Sequence, residues 1–218
     1  MLVEIWSDVV CPWCYLGTRR LTAALADFPH ADAVEVRHRS FQLDPSAESD
    51  LEGEPAPSHT ERLAAKFGVP AAQVEQMDRD MTARGAADGI DFHLADVRSA
   101  DTVDAHRLLH LATELGVGEE VTERFFRAVF TEGEAMGDPR VLRRVAVAAG
   151  LPAAEVDDVL AGDRYRDAVE ADLAQARAYG ITGVPFFVLD GRLGVSGAQS
   201  TEVLRAALDQ AWASTATA

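Results

Sequence analysis

Hydrophobic periodicity changes twice along this chain, and those two changes leave few folds open. Leu2 to Trp6 is apolar and partly β-branched, stops at Ser7-Asp8, and reads as a short strand. From about Cys11 to Phe28 the apolar residues Leu16, Leu21, Ala24, Leu25 and Phe28 recur at helical spacing, and Pro29 closes that helix. Ala33 to Phe41 alternates, with Val34 and Val36 on one face and Glu35 and Arg37 on the other, the pattern of a second strand. The short connections favour a parallel strand-helix-strand crossover. Asp44 to Ser58 then holds Pro45, Pro55, Pro57 and several acids, which is the composition of a loop.

From His59 to Tyr179 the pattern is helical almost throughout, with room for about six or seven helices. Gly68, Gly116, Gly150 and Gly180 stand where helix C-termini are expected, and Asp138-Pro139 is an N-cap followed by proline in the first turn. Strand character returns only at Phe186–Leu189 and Leu193–Ser196, with Asp190-Gly191 between them as a tight hairpin turn. Gln199 to Ala213 closes the chain as a helix carrying Leu204, Leu208 and Trp212 on one side. The order strand-helix-strand, helical block, strand-strand-helix is that of an α/β protein: a thioredoxin-like fold interrupted by an all-helical insertion domain. The boundaries expected are 1–44 and 181–218 for the thioredoxin-like part and 45–180 for the insertion, with a linker at about 45–58.

Charge excludes several partners. With 36 acidic and 20 basic residues the net charge is −16, which repels both a phosphate backbone and an anionic lipid surface. No apolar run approaches the roughly 18 residues of a membrane-spanning helix. Met1 to Trp6 carries no basic head and no long apolar stretch, so a cytoplasmic location is expected. Neither nucleic acid nor membrane is an expected partner.

The chain has two cysteines, Cys11 and Cys14. A disulfide scaffold needs more of them, and a structural zinc site needs four ligands where no second Cys-x-x-Cys exists. His106 and His110 are four apart on one helix, but the intervening Arg-Leu-Leu lacks the glutamate of a zinc protease. No metal is expected. What remains is redox chemistry or a pair of buried structural thiols. A Cys-x-x-Cys pair becomes a redox device when its first sulfur lies at a helix N-terminus, where unpaired N–H groups and the helix dipole favour the thiolate. Cys11 holds that position. Pro12 suits the first turn because its missing N–H would lack a partner anyway, and Cys14 lies one turn deeper on the same side. Cys11 is thus the attacking sulfur and Cys14 the resolving one, which requires Cys11 to be reachable and the two sulfurs to be within bonding range. Gly183-Val184-Pro185 precedes the hairpin, and a cis Pro185 would turn the Val184 backbone outward beside Cys11. Sequence alone leaves that isomer open.

The string Ser7-Asp8-Val9-Val10-Cys11-Pro12-Trp13-Cys14-Tyr15-Leu16-Gly17 resembles the DsbA-like thioredoxin superfamily, and most closely its FrnE-like branch. Phe41-Gln42-Leu43-Asp44-Pro45, Ala105-His106-Arg107-Leu108, Phe130-Thr131-Glu132-Gly133, Gly180 to Val188 and Ser196-Gly197-Ala198-Gln199 carry the same resemblance, which therefore spans residues 7 to 199. It implies a thioredoxin fold with a helical insertion, cis Pro185, and dithiol–disulfide exchange with protein or small-thiol disulfides. It implies neither metal nor nucleotide, and no cofactor is expected; glutathione is a candidate reductant or co-substrate. In two respects the chain departs from DsbA itself. Trp13 replaces a histidine that helps to stabilise the thiolate, and no signal peptide is visible. A reducing compartment favours reduction or isomerisation over net oxidation.

Catalytic roles fall on Cys11, Cys14 and Pro185. Pro12, Trp13, Gly183, Val184, Phe41, Gln42, Thr102 and His106 are candidates for the substrate groove, and Asp8 for proton transfer to Cys14. Two competing functions stay open. Glutathione-dependent transferases and 2-hydroxychromene-2-carboxylate isomerases related to the kappa class share the insertion and the Gly-Val-Pro segment, but place serine at the first sulfur and lack the second. A peptide-binding module or chaperone would need no sulfur at all. The oligomeric state is not set by the sequence.

Overall fold

The computed structural model describes residues 1–215. Four strands form one mixed sheet: β1 (Leu2–Ser7), β2 (Glu35–Ser40), β3 (Phe186–Leu189) and β4 (Leu193–Ser196), in the order β2-β1-β3-β4. β1 runs parallel to β2 in the register Leu2↔Glu35 to Ser7↔Ser40, and β3 pairs antiparallel with both β1 and β4. Asp190 and Gly191 both take positive φ, 48° and 65°, as the tight hairpin turn requires. Between β1 and β2 lies α1 (Pro12–Ala26), which stops two residues short of the expected Phe28; the Phe28 N–H turns back to the Leu25 carbonyl before Pro29 is reached.

Seven helices fill the stretch expected to be helical: α2 (His59–Phe67), α3 (Ala71–Ala87), α4 (Val103–Glu114), α5 (Gly118–Phe130), α6 (Pro139–Ala148), α7 (Ala153–Ala161) and α8 (Arg166–Ala178). Gly68, Gly116, Gly150 and Gly180 all have positive φ at or just after helix ends, and the Asp138 side chain accepts the Arg140 N–H at the start of α6. The closing helix α9 spans Thr201–Thr215. None of the described helices is long and apolar enough to cross a membrane.

The elements form layers about the sheet. Val3, Ile5, Phe187 and Leu189 face α1 and α9, meeting Leu21, Ala24, Phe28, Leu204 and Leu208 in one core. The opposite face is covered by α8. Trp6, Val188, Ala176 and Ile181 pack together there, and the Trp6 indole N–H donates to the Asp172 carbonyl. The Asp172 carboxylate accepts the Ser40 N–H and pairs with Arg39, which also pairs with Glu4. α8 is therefore a layer of the sheet domain as well as the end of the helical stretch. The largest core runs from Val9, Cys11, Cys14, Tyr15 and Leu16 into Leu108, Phe125, Phe126, Val145 and Val156, so the N-terminal end of α1 shares its packing with the insertion.

The segment between β2 and α2 contains no helix or strand, yet it is stitched down. Asp50 exchanges two hydrogen bonds with Ser99, Ser49 Oγ accepts the Asp101 N–H, and Asp138 accepts the Glu52 N–H.

Candidate active site

Cys11 is the N-cap of α1, with extended backbone (φ −101°, ψ 110°), and Pro12 opens the helix. The Cys11 carbonyl accepts from the Cys14 N–H at 3.0 Å and the Tyr15 N–H at 3.3 Å, which winds the first turn tightly and brings Cys14 beside Cys11. The Val184–Pro185 bond is cis. The Cys11 thiol donates to the Val184 carbonyl, with sulfur and oxygen 3.7 Å apart across 173 residues of chain.

Both cysteines are free thiols, and both are buried. Cys14 is fully covered. Cys11 is only 3% exposed, a much smaller opening than an attacking sulfur was expected to have. The physical reason is the cis-proline segment, where Val184 packs against the same core that holds Cys11. Burial pushes the Cys14 thiol well above its ordinary range, and its hydrogen bond to Cys11 and the charge of Asp8 act in the same direction. Cys14 is thus held as the protonated partner.

Asp8 lies 1% exposed directly under this turn, and its carbonyl accepts the Cys11 N–H at 3.0 Å. One carboxylate oxygen takes the Leu43 N–H at 2.8 Å, while the other, Oδ1, accepts no hydrogen bond and stands 3.5 Å from His106 Nε2. His106 is 2% exposed and donates Nε2–H to the Phe41 carbonyl at 2.9 Å. Thr102, at the N-cap of α4, is also buried. Thr102 and His106 are therefore both buried, with His106 set between Asp8 and the Phe41 carbonyl. Phe41 and Gln42 are half-buried, and the Gln42 amide donates to Asp101.

Pro12 and Val184 are half-buried, Gly183 is exposed, and Trp13 is 43% exposed, so these residues form the accessible surface around the sulfurs. Tyr15 faces inward: its ring stacks on Phe126 with 5.0 Å between centroids, and its hydroxyl donates to Glu123. Among the described residues no cluster of three or more His, Cys, Asp or Glu could hold a metal ion.

Two structural residues carry no signal of their role in the sequence. Gly17 lies where α1 passes under Pro185, and Arg107 is buried next to His106 in the string Ala105-His106-Arg107-Leu108. Only a positional match marked either of them, because neither residue type signals its role alone.

The arrangement matches known proteins over nearly the whole chain. A probable DsbA oxidoreductase from Streptomyces coelicolor is 46% identical, with a TM-score of 0.91 over 98% of this chain and 90% of that one. The protein YwbO of Bacillus subtilis is 27% identical over 208 residues, 94% of each chain. A 2-hydroxychromene-2-carboxylate isomerase shares the fold, with a TM-score of 0.70 at 15% identity over 100% of this chain and 98% of its own. The model of the DSBA-like thioredoxin domain matches residues 2–209, and the chain belongs to that family.

Proposed function

We propose that this protein exchanges the Cys11/Cys14 dithiol with disulfides of proteins or small thiols. The reading rests on one observation: a sulfur at the N-cap of α1 faces the carbonyl that precedes cis Pro185, with a second, protonated sulfur one turn deeper. Cys11, 3% exposed here, is uncovered when the substrate chain displaces the Val184 side chain packed against the same core, and as thiolate it attacks one sulfur of the substrate disulfide. A Cys11–substrate bond forms, the substrate S–S bond breaks, and the first substrate thiol leaves. Cys14 then attacks Cys11, closing the intramolecular disulfide and releasing the second thiol. The substrate gains the two electrons that the dithiol loses, and a soluble thiol or dithiol reductant restores the pair. The reverse sequence oxidises a dithiol substrate.

Cys14 must lose its proton to attack, and Asp8 is the group assigned to take it, because its Oδ1 has an unused lone pair in the same buried space. Pro12, Trp13, Phe41, Gln42, Gly183 and Val184 form the substrate surface, while Thr102 and His106 support it from behind. We place the protein in the cytoplasm, where a reducing thiol pool drives exchange toward reduction or isomerisation. Within the family, its strings fit the FrnE-like branch.

Insulin reduction in the presence of dithiothreitol tests this reading. Activity is expected to disappear in Cys11→Ser. Cys14→Ser should trap mixed disulfides, and Asp8→Asn should slow their resolution without slowing their formation. Equal activity in wild type, Cys11→Ser and Cys14→Ser refutes the proposal. A glutathione-dependent isomerase or transferase reaction is the competing reading; it would need only one reactive side chain, and a second cysteine one turn into the same helix favours exchange.

A further inference from the structure

Over Trp13, within the Cys-x-x-Cys turn, the helical insertion places one guanidinium that the mechanism does not use. Arg84, near the end of α3, lies over the Trp13 ring, with its central carbon 5.7 Å from the ring centroid. Trp13 is two residues from Cys11 and is the most exposed side chain of the site. Among the described residues Arg84 makes neither an ion pair nor a hydrogen bond. Its neighbours along the chain are engaged: Arg79 bonds Gln76, and Arg98 donates to the Leu51 and Glu54 carbonyls.

The helix that carries Arg84 is held in place. Met81 and Gly85 are buried, and a methyl group at Gly85 would meet the Phe92 ring at 2.3 Å, so the helix lies hard against Phe92. One turn beyond Arg84, Asp88 accepts two hydrogen bonds from Arg20 of α1, at 3.1 and 2.9 Å. α3 is thus tied to the helix that begins at Cys11, and the position of Arg84 relative to Trp13 follows from both anchors.

A cation–π contact uses the charge of a guanidinium and none of its N–H donors, which stay free for a carboxylate. In a chain of net charge −16, a cation over Trp13, two residues from the reactive sulfur, counters the repulsion that an acidic substrate would otherwise meet. Of the acids one turn from Arg84 on either side, Asp88 pairs with Arg20, while Asp80 accepts only from the Gln76 amide and, among the described residues, takes no cation, so Arg84 is the free cation of this stretch. We infer that Arg84, held over the Trp13 ring, selects disulfides that carry a carboxylate close to the sulfur. The inference deepens the exchange reaction proposed above and rests on it.

The test uses the full chain, reduced beforehand, in single-turnover oxidation by matched peptide disulfides that differ only in Glu or Gln next to cysteine. Each turnover passes two electrons from the Cys11/Cys14 dithiol to the peptide disulfide, giving an enzyme disulfide and two peptide thiols, so no other reductant is needed. A parallel arm compares glutathione disulfide with its ethyl ester, which separates a small-thiol source of the carboxylate from a peptide source. For a surface charge pair, the acidic member of at least one matched pair should react about three- to fivefold faster at low ionic strength, with the advantage shrinking as salt is added. Arg84→Gln should bring the ratio to about one, Arg84→Lys should keep part of it, and Arg84→Glu should invert it. Equal rates within both matched pairs in wild type, or a preference that survives Arg84→Gln, overturn the inference while leaving disulfide exchange intact. If wild type oxidises with none of the four substrates, the exchange reaction itself fails and the inference with it.

Discussion

A methyl group added at Gly17 would stand 2.8 Å from Pro185 Cγ and 3.2 Å from Phe187 Cζ. Both neighbours are buried and have little room to yield, so Gly17→Ala must push the cis-proline segment away from α1. We expect it to destabilise the protein by about 1–3 kcal/mol in urea denaturation, the usual cost of overpacking a tight contact. The same shift should lower the rate of insulin reduction although both sulfurs remain. Unchanged stability and rate would mean that the segment is looser than its packing implies. Gly17 shows what a single sequence conveys at this scale. It stood within a family-like string, but the requirement for glycine arises from a proline 168 positions away, which no local pattern signals. Cys11 is similar. Its place at a helix start was legible from Pro12 and the periodicity after it, whereas its near-complete burial depends on Val184 from the far end of the chain.

Among the elements, α4 joins the redox site to the rest of the insertion. One side of it presents His106 toward Asp8 and Phe41. On another, the buried Arg107 donates to the carbonyls of Val159, Gly162 and Arg164 and to the Asp104 carboxylate. Val159 and Gly162 lie at the C-terminal end of α7, where carbonyls have no partner within the helix. Arg107 therefore closes α7 from outside it. Replacing it with leucine keeps much of the apolar packing but strands several buried carbonyls, at about 1–3 kcal/mol each. Arg107→Leu should cost on the order of 3 kcal/mol in global stability, read by urea denaturation with far-ultraviolet circular dichroism. A loss below about 0.5 kcal/mol would show that water takes over the cap, as at an ordinary surface site. Helix ends at glycines and at Asp138 were readable because their causes lie within one turn. The cap on α7 was not, because its donor comes from another helix.

For the molecule as a whole, the sheet carries a buried titratable group that the site does not use. His38 of β2 is 8% exposed, and neither ring nitrogen has a partner among the described residues. Burial lowers its pKa from 6.5 to about 4. Between those values the unfolded chain binds a proton that the folded one refuses, so stability present above about pH 6.5 is lost as the pH falls toward about 4. The full loss is on the order of 3 kcal/mol. In urea titrations across that range, His38→Leu should flatten this part of the pH profile, and an unaltered slope would show that other groups govern it. The chain by itself determined the element order, the hairpin turn, most helix ends and the location of the two sulfurs at the start of a helix. Each of these follows from backbone sterics, hydrogen bonding and hydrophobic period within about four residues. Only the tertiary structure decided which carbonyl faces Cys11, how far that sulfur is covered, that Asp8 and His106 share one buried space, and that Arg84 meets Trp13. Those contacts join segments far apart in sequence, and the packing of seven intervening helices sets their distances, which no local preference encodes.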